Sequence, residues 1–206
     1  MTLNLAMGLR STARRYPDRT AIVLGEAKLS YAELHNYVRK FAGALRELGI
    51  EPGQHIALML PNVPHFTIAY YGGHYAAAPI VPLNVLLTPD EIAYHLDDSD
   101  AVALVAWEGF FEQAQAGFNR ADGCKHLIVA KASPTDLEAP PGAHNMNAML
   151  AQAKPVNDLP PTHAMIQFTA KNAHTKLRRL RGTSLYSGKL VTLPRCPGIS
   201  LLGARS

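Results

Sequence analysis

HIALMLPNVPHFTIAYYGGHYAAAPIVPLN, residues 55–84, holds two apolar runs separated by a stretch of helical length. HIALML shows no polar alternation, which suits a strand buried on both faces, and Pro61-Asn62 ends it. PIVPLN reads as a second strand. Pro79 and Pro82 are tolerable there only near strand ends or at a sheet edge, because proline donates no ladder hydrogen bond. Between the runs, PHFTIAYYGGHYAAA at 64–78 reads as a helix of small residues packed closely on a sheet. Gly72 and Gly73 lower its helix propensity, so tertiary contacts have to hold it.

The same alternation continues on both sides. LNLAMGLRSTARRY (3–16) places Leu3, Leu5, Ala6 and Leu9 on one side of a first helix, stopped by Pro17-Asp18. TAIVLGEAKLSY (20–31) gives two short β-rich runs around Gly25-Glu26, a hairpin. Ser30-Tyr31-Ala32-Glu33 is a capping box, in which the Ser hydroxyl accepts from an orphan N–H while Glu33 reaches back to the cap. Leu34, Val38, Phe41, Ala42, Leu45 and Leu48 then keep helical spacing as far as Gly49.

Thr88-Pro89-Asp90-Glu91 supplies a cap, a proline at the first helical position and early acidic residues, so DEIAYHLDDS (90–99) is a helix. AVALVAW (101–107) and HLIVA (126–130) are further buried strands, with helical EGFFEQAQAGF (108–118) between them. Thr135 to His144 is a Pro/Gly-rich linker, NMNAMLAQA (145–153) a short helix and AMIQFT (164–169) a last strand. Repeated β-α-β units predict an α/β fold: a largely parallel sheet with helices on both faces. No internal repeat interrupts it.

At 206 residues, 48% apolar and 17% charged, the chain has the composition of a soluble globular domain and not of a disordered one. No apolar run reaches the ~18 residues of a membrane span. In MTLNLAMGLRSTARR (1–15) the basic residues follow the apolar ones, the reverse of a secretory signal, and a surface helix is expected over an Arg/Ser-rich transit segment. Cys124 and Cys196 stand far apart and read as free thiols in a reducing cytoplasm.

The net charge of +4 hides a partition. Residues 1–169 carry 12 Lys/Arg against 16 Asp/Glu, whereas residues 170–206 carry eight against none. One folded domain seldom divides its charge so, and a boundary is expected near Thr169, with 170–206 an irregular basic tail.

LSYAELH at Leu29–His35, PGQHIALMLPN at Pro52–Asn62 and AAAPIVPLNVLLTPDEIAYHLDDSDA at Ala76–Ala101, in that order and spacing, resemble the opening of the adenylate-forming (AMP-binding) acyl-CoA synthetases. Within that family the likeness is to bacterial fatty-acid–CoA ligases. The resemblance covers roughly 165 residues and makes residues 1–169 the N-terminal part of the family's domain. It implies ATP, Mg²⁺ and CoA as cofactors and a fatty acid as substrate. The implied reaction has two steps. A carboxylate attacks the α-phosphorus of ATP to give an acyl-adenylate and pyrophosphate, then the CoA sulfur displaces AMP to give the thioester.

In that family a strand like MIQFT leads into a phosphate loop of the form T-S-G-T-T-G-x-P-K-G. Its glycines permit positive φ, so that successive backbone N–H groups point at the triphosphate. Thr169 matches the first position, a remnant of the cofactor-binding loop. Ala170-Lys171-Asn172-Ala173-His174-Thr175-Lys176 follows and contains no glycine. Losing three or four charge-assisted hydrogen bonds removes roughly 5–10 kcal/mol of triphosphate stabilisation. What the family places after this loop, from the adenine contacts to the mobile C-terminal domain, has no counterpart in 170–206. The expectation is a truncated or frame-shifted chain, its reading frame broken just after the Thr169 codon, without turnover of its own.

Other motifs weigh less. The nine histidines form no His-x-x-x-His pair and no Cys/His cluster, so a zinc site is not expected. His74 and His95 fall on helices, where a surface or hydrogen-bonded role is expected. Asp97, Asp98 and Asp100, at a helix end and turn, are expected to be solvated. Tyr71, Gly72 and Gly73 are candidate substrate contacts, since small residues beside aromatics let a ligand come close; helix-on-sheet packing accounts for them equally. KLRRLR at Lys176–Arg181 lacks any recognised nucleic-acid motif, so no specific nucleic-acid partner is expected. Self-association through apolar surface left uncovered is the remaining partner expectation.

Overall fold

The computed structural model describes residues 4–159, all within the first of the two units into which the chain divides, Met1–Lys171. Helix α1 (Ala6–Arg15) is followed by an antiparallel hairpin, β1 (Thr20–Leu24) and β2 (Ala27–Ser30). Gly25, at φ 57°, makes its turn, a left-handed conformation that costs glycine nothing. The main sheet follows as β3 (His55–Met59), β4 (Ile80–Pro82), β5 (Ala101–Trp107), β6 (His126–Ala130) and β7 (His144–Asn145). Its order is β4-β3-β5-β6-β7 and every pair is parallel. The connecting helices are α2 (Tyr31–Glu47), α3 (Pro64–Tyr75), α4 (Pro89–Asp98) and α5 (Phe111–Phe118), with α6 (Met146–Gln152) after β7.

The alternation of side chains along each strand builds two cores. Ile56 and Leu58 of β3, Ile80 of β4, Ala103 and Val105 of β5 and Ile128 of β6 pack with α1, α2, α3 and α6. Ala57, Met59, Val81, Leu104, Ala106 and Leu127 face the other way and pack with α4 and α5. Helices therefore cover both faces, as the continuous apolar strands require. The proline argument also holds, because β4 is an edge strand among the described residues.

The capping box at Ser30 forms, and the cap at Thr88 closes as a second one. Ser30 Oγ accepts from the Glu33 N–H at 3.2 Å and the Glu33 carboxylate accepts from the Ser30 N–H at 2.8 Å. Thr88 and Glu91 repeat the arrangement ahead of α4. Replacing Thr88 by Ala is expected to cost about 1 kcal/mol, read as a shift of the urea midpoint at constant slope.

Three local expectations need revision. EGFFEQAQAGF opens as a short 3₁₀ turn, Glu108–Phe110, before α5. The linker after Thr135 ends in the two-residue strand β7, held by parallel pairing of Val129 with Asn145. His74 is neither at the surface nor hydrogen bonded: it is buried, and neither ring nitrogen has a partner. The cause is α3 itself, which meets α1, α2, β3 and β4 and so leaves almost no solvent-facing side at its C-terminal end.

Candidate functional site

The chain leaves β3 through α3 to reach β4 on one side, then returns through α4 to β5 on the other. The carboxyl ends of β3 and β5 therefore diverge at a topological switch point, where open α/β sheets place their ligands. Residues 60–65 follow β3, Trp107 and Glu108 close β5, and Lys131 follows β6.

His65, in the first turn of α3, is the most constrained group there. Its Nε2 lies 3.1 Å from Asn147 Oδ1. The Asn147 amide donates to the carbonyls of Lys131 (3.2 Å) and Ser133 (2.8 Å). With its N–H₂ so engaged, Asn147 presents its oxygen to His65, and Nε2 carries the proton. Nδ1 is then a lone-pair acceptor, buried and without a partner. Burial holds the His65 pKa below its usual value, against the opposing effects of the Asn147 hydrogen bond and the Glu108 charge. Trp107 lies alongside, its ring centroid 5.6 Å from that of His65.

The surrounding loop is tied to itself. Glu108 Oε1 accepts from the Ala132 N–H at 2.7 Å. Lys131 Nζ donates to both Asp136 carboxylate oxygens, at 2.9 and 2.8 Å, which holds that carboxyl below the usual carboxylate range. Asn145 donates to the carbonyls of Asp136 and Glu138 and caps α6 through the Ala148 N–H. These groups brace the loops at the carboxyl ends of the strands; they do not form a nucleophile–base pair. Among the described residues no group of three His, Cys, Asp or Glu side chains is placed to hold a metal. Burial pushes the Cys124 thiol up to about 12, which keeps it protonated and unreactive at neutral pH.

Of the residues singled out in the sequence, Thr169 lies outside the described residues, as do Cys196 and the whole 170–206 segment. Tyr71, Gly72 and Gly73 sit in α3 on the helix-covered face. A Cβ on Gly72 would stand 2.7 Å from Phe41 Cδ1, and one on Gly73 would stand 2.3 Å from Ile80 Cδ1. The space beside both glycines is thus filled by α2 and β4, the packing alternative named above. Tyr71 is half-buried, edge-on to Tyr70 with centroids 5.4 Å apart. His95 is half-buried, and Asp97 accepts from the Asp122 N–H at 3.0 Å. The His65–Asn147 pair was not legible in the sequence, since its members are 82 residues apart. Among the described residues no helix is long and apolar enough to cross a membrane.

The comparisons with known proteins agree with this architecture. A benzoate CoA ligase from Burkholderia xenovorans LB400 superposes with a TM-score of 0.68 at 28% identity, over 78% of this chain and 31% of that one. A long-chain-fatty-acid–CoA ligase of Bacillus subtilis (strain 168) is 34% identical over 106 residues, 52% of this chain and 19% of the relative. An octahydroindenyl-propanoyl:CoA ligase of Rhodococcus jostii (strain RHA1) is 37% identical over 102 residues, 50% of this chain and 20% of the relative. The matched region is about a fifth of each curated relative's length. Residues 9–170 match the AMP-binding enzyme family. With strand order, helix placement and this match in accord over most of its length, the chain belongs to the AMP-binding enzymes, the family of adenylate-forming acyl-CoA ligases.

Proposed function

We propose that the chain is the N-terminal part of a fatty-acid–CoA ligase whose phosphate loop is replaced after Thr169, so that it supplies scaffold but no turnover. One observation carries this reading: Ala170 to Lys176 contains no glycine where the family needs a glycine-lined cradle. The residues present do not fit a Mg²⁺-bound triphosphate, and no step of adenylation or thioester formation is assigned to them. The fatty acid is favoured by the Leu29–Ala101 likeness to bacterial fatty-acid–CoA ligases. Relatives that name a benzoate or a ring-bearing propanoate leave the acid open to test. A cytoplasmic location and a domain boundary at Thr169, before the basic tail, belong to the same proposal.

The test is pyrophosphate release by the full 206-residue chain given ATP, Mg²⁺, CoA and a panel of fatty, aromatic and dicarboxylic acids. Release at the buffer level is expected, because losing the cradle's hydrogen bonds costs several decades in rate. Acid-dependent release above that level would sink the proposal. Sequencing the locus across the Thr169 codon supplies the second arm: an intact T-S-G-T-T-G loop is expected in another frame.

A second reading, a non-catalytic interaction module, is favoured by apolar side chains on the hairpin. Val23 and Leu24 are 59% and 47% exposed and, with Ile22, border a cleft of about 210 Å³ that also touches Val63, Pro64 and Phe66. Concentration-dependent dimerisation lost on Val23→Ser would support it, and a monomer at all concentrations would remove it.

A further inference from the structure

Four of the polar residues of helix α1 stand in two neighbouring rows, Arg10 with Arg14 and Ser11 with Arg15, each pair one helical turn apart. With Met7 and Leu159 they line an open cleft of about 550 Å³, within the size range of small-molecule sites. None of the three arginines makes an ion pair with a described carboxylate. Residues 1–3 and 160–206 contain no Asp or Glu, so no acidic side chain elsewhere in the chain is left to neutralise them. Clustered guanidiniums repel one another, and a chain with 16 acidic residues at its disposal directs none of them here.

A histidine outside the cleft lining lies within the field of Arg10 and Arg14. His35 Nε2 and the Tyr75 hydroxyl are hydrogen bonded at 2.6 Å, with Tyr75 fully buried. Arg39 stands nearby, its Nε donating to the Val156 carbonyl at 2.6 Å, which fixes that guanidinium in place. Burial first, then the charges of Arg39, Arg10 and Arg14, lower the His35 pKa. His35 therefore senses the field of the cluster.

We propose that this cleft is a binding site for a phosphate-bearing anion, gripped by Arg10, Arg14 and Arg15 with Ser11 as a hydroxyl donor. Guanidinium forks match phosphate oxygens in pairs, and Met7 and Leu159 leave room for a small apolar portion beside the phosphate. The lining consists of α1 residues and Leu159, and the proposal stands whether or not the chain turns over ATP.

The probe is inorganic pyrophosphate, titrated into the full-length chain by calorimetry. The double variant Arg10→Gln/Arg14→Gln is expected to bind at least tenfold more weakly. Arg120→Gln, which removes an arginine already paired with Asp90 at 2.6 Å, is expected to bind unchanged. In the wild-type chain, saturating pyrophosphate should raise the His35 pKa, followed by NMR, by about one unit, because a nearby anion favours the imidazolium. Equal binding by the double variant together with an unmoved His35 would assign the anion to the basic 170–206 segment and overturn the proposal. Vesicles of phosphatidic acid in phosphatidylcholine identify the source. Retention that depends on Arg10 and Arg14 points to a lipid headgroup, and pyrophosphate binding without retention points to a free phosphate; either supports the site. Retention indifferent to both residues, without the pyrophosphate effect, counts against it.

Discussion

Lowering the pH from 7 to 4 is expected to destabilise the folded region by about 3 kcal/mol through His74 alone. The ring is 1% exposed, and burial pushes its pKa from 6.5 to about 4. Well above pH 6.5 neither the folded nor the unfolded state protonates it, and the stability is fully present. Between 6.5 and 4 the unfolded chain takes up the proton and the folded one does not, so stability falls across that window. His35, His65, His95 and His126 are depressed in the same direction, each with burial as the largest cause, and steepen the slope.

His74→Leu isolates the main contribution. Since neither ring nitrogen is hydrogen bonded, an apolar side chain of similar volume leaves no partner unsatisfied and should cost less than about 1 kcal/mol at pH 7.5. Urea unfolding at pH 7.5, 5.5 and 4.5 should then show a flatter pH dependence for the variant. Parallel losses in both proteins would place the acid sensitivity elsewhere.

Phe41→Ala is expected to remove about 3–5 kcal/mol, a large share of the ~5–15 kcal/mol that a domain of this kind holds in reserve. Phe41 is fully buried where α2 crosses α3, and Gly72 is what allows the crossing. A Cβ at Gly72 would meet Phe41 Cδ1 at 2.7 Å and the Val38 carbonyl oxygen at 3.1 Å. Gly72→Ala alone should cost about 1–3 kcal/mol by overpacking. In the Phe41→Ala background the 2.7 Å ring contact is gone while the 3.1 Å approaches to the position-41 Cβ and the Val38 oxygen remain, and the cost should fall to about 1 kcal/mol. Additive costs in this double-mutant cycle would show that something other than Phe41 requires the glycine.

Sequence legibility followed how local each determinant is. Ser30–Glu33 and Thr88–Glu91 act over four residues, and both caps were readable from residue order alone. The prolines flanking Ile80 and Val81 confined themselves to strand ends or a sheet edge because the missing donor is a property of the residue itself. β7 was lost in a linker, since two residues carry no periodicity and their pairing depends on β6. His74 was misplaced for a related reason: α3 is apolar around its circumference, so no polar stripe marks a solvent side. The grouping of His65, Asn147 and Glu108 joins α3, α6 and the end of β5, and nothing near any one of them announces the others. The family likeness reached further than these local signals, because it carries the order of many elements at once.

The flanks of the main sheet differ in a way that bears on how copies of this chain would coagulate. Lateral templating needs a row of free main-chain donors, and β4, an edge among the described residues, has only Ile80 and Val81 as donors between two imino acids, with parallel pairing to β3 drawing on them. At the opposite margin, among the described residues, β7 presents two residues, too few to seed an ordered fibril. Precipitation of the native protein should therefore track how often it opens, so that His74→Leu prolongs shelf life in mild acid even at high concentration.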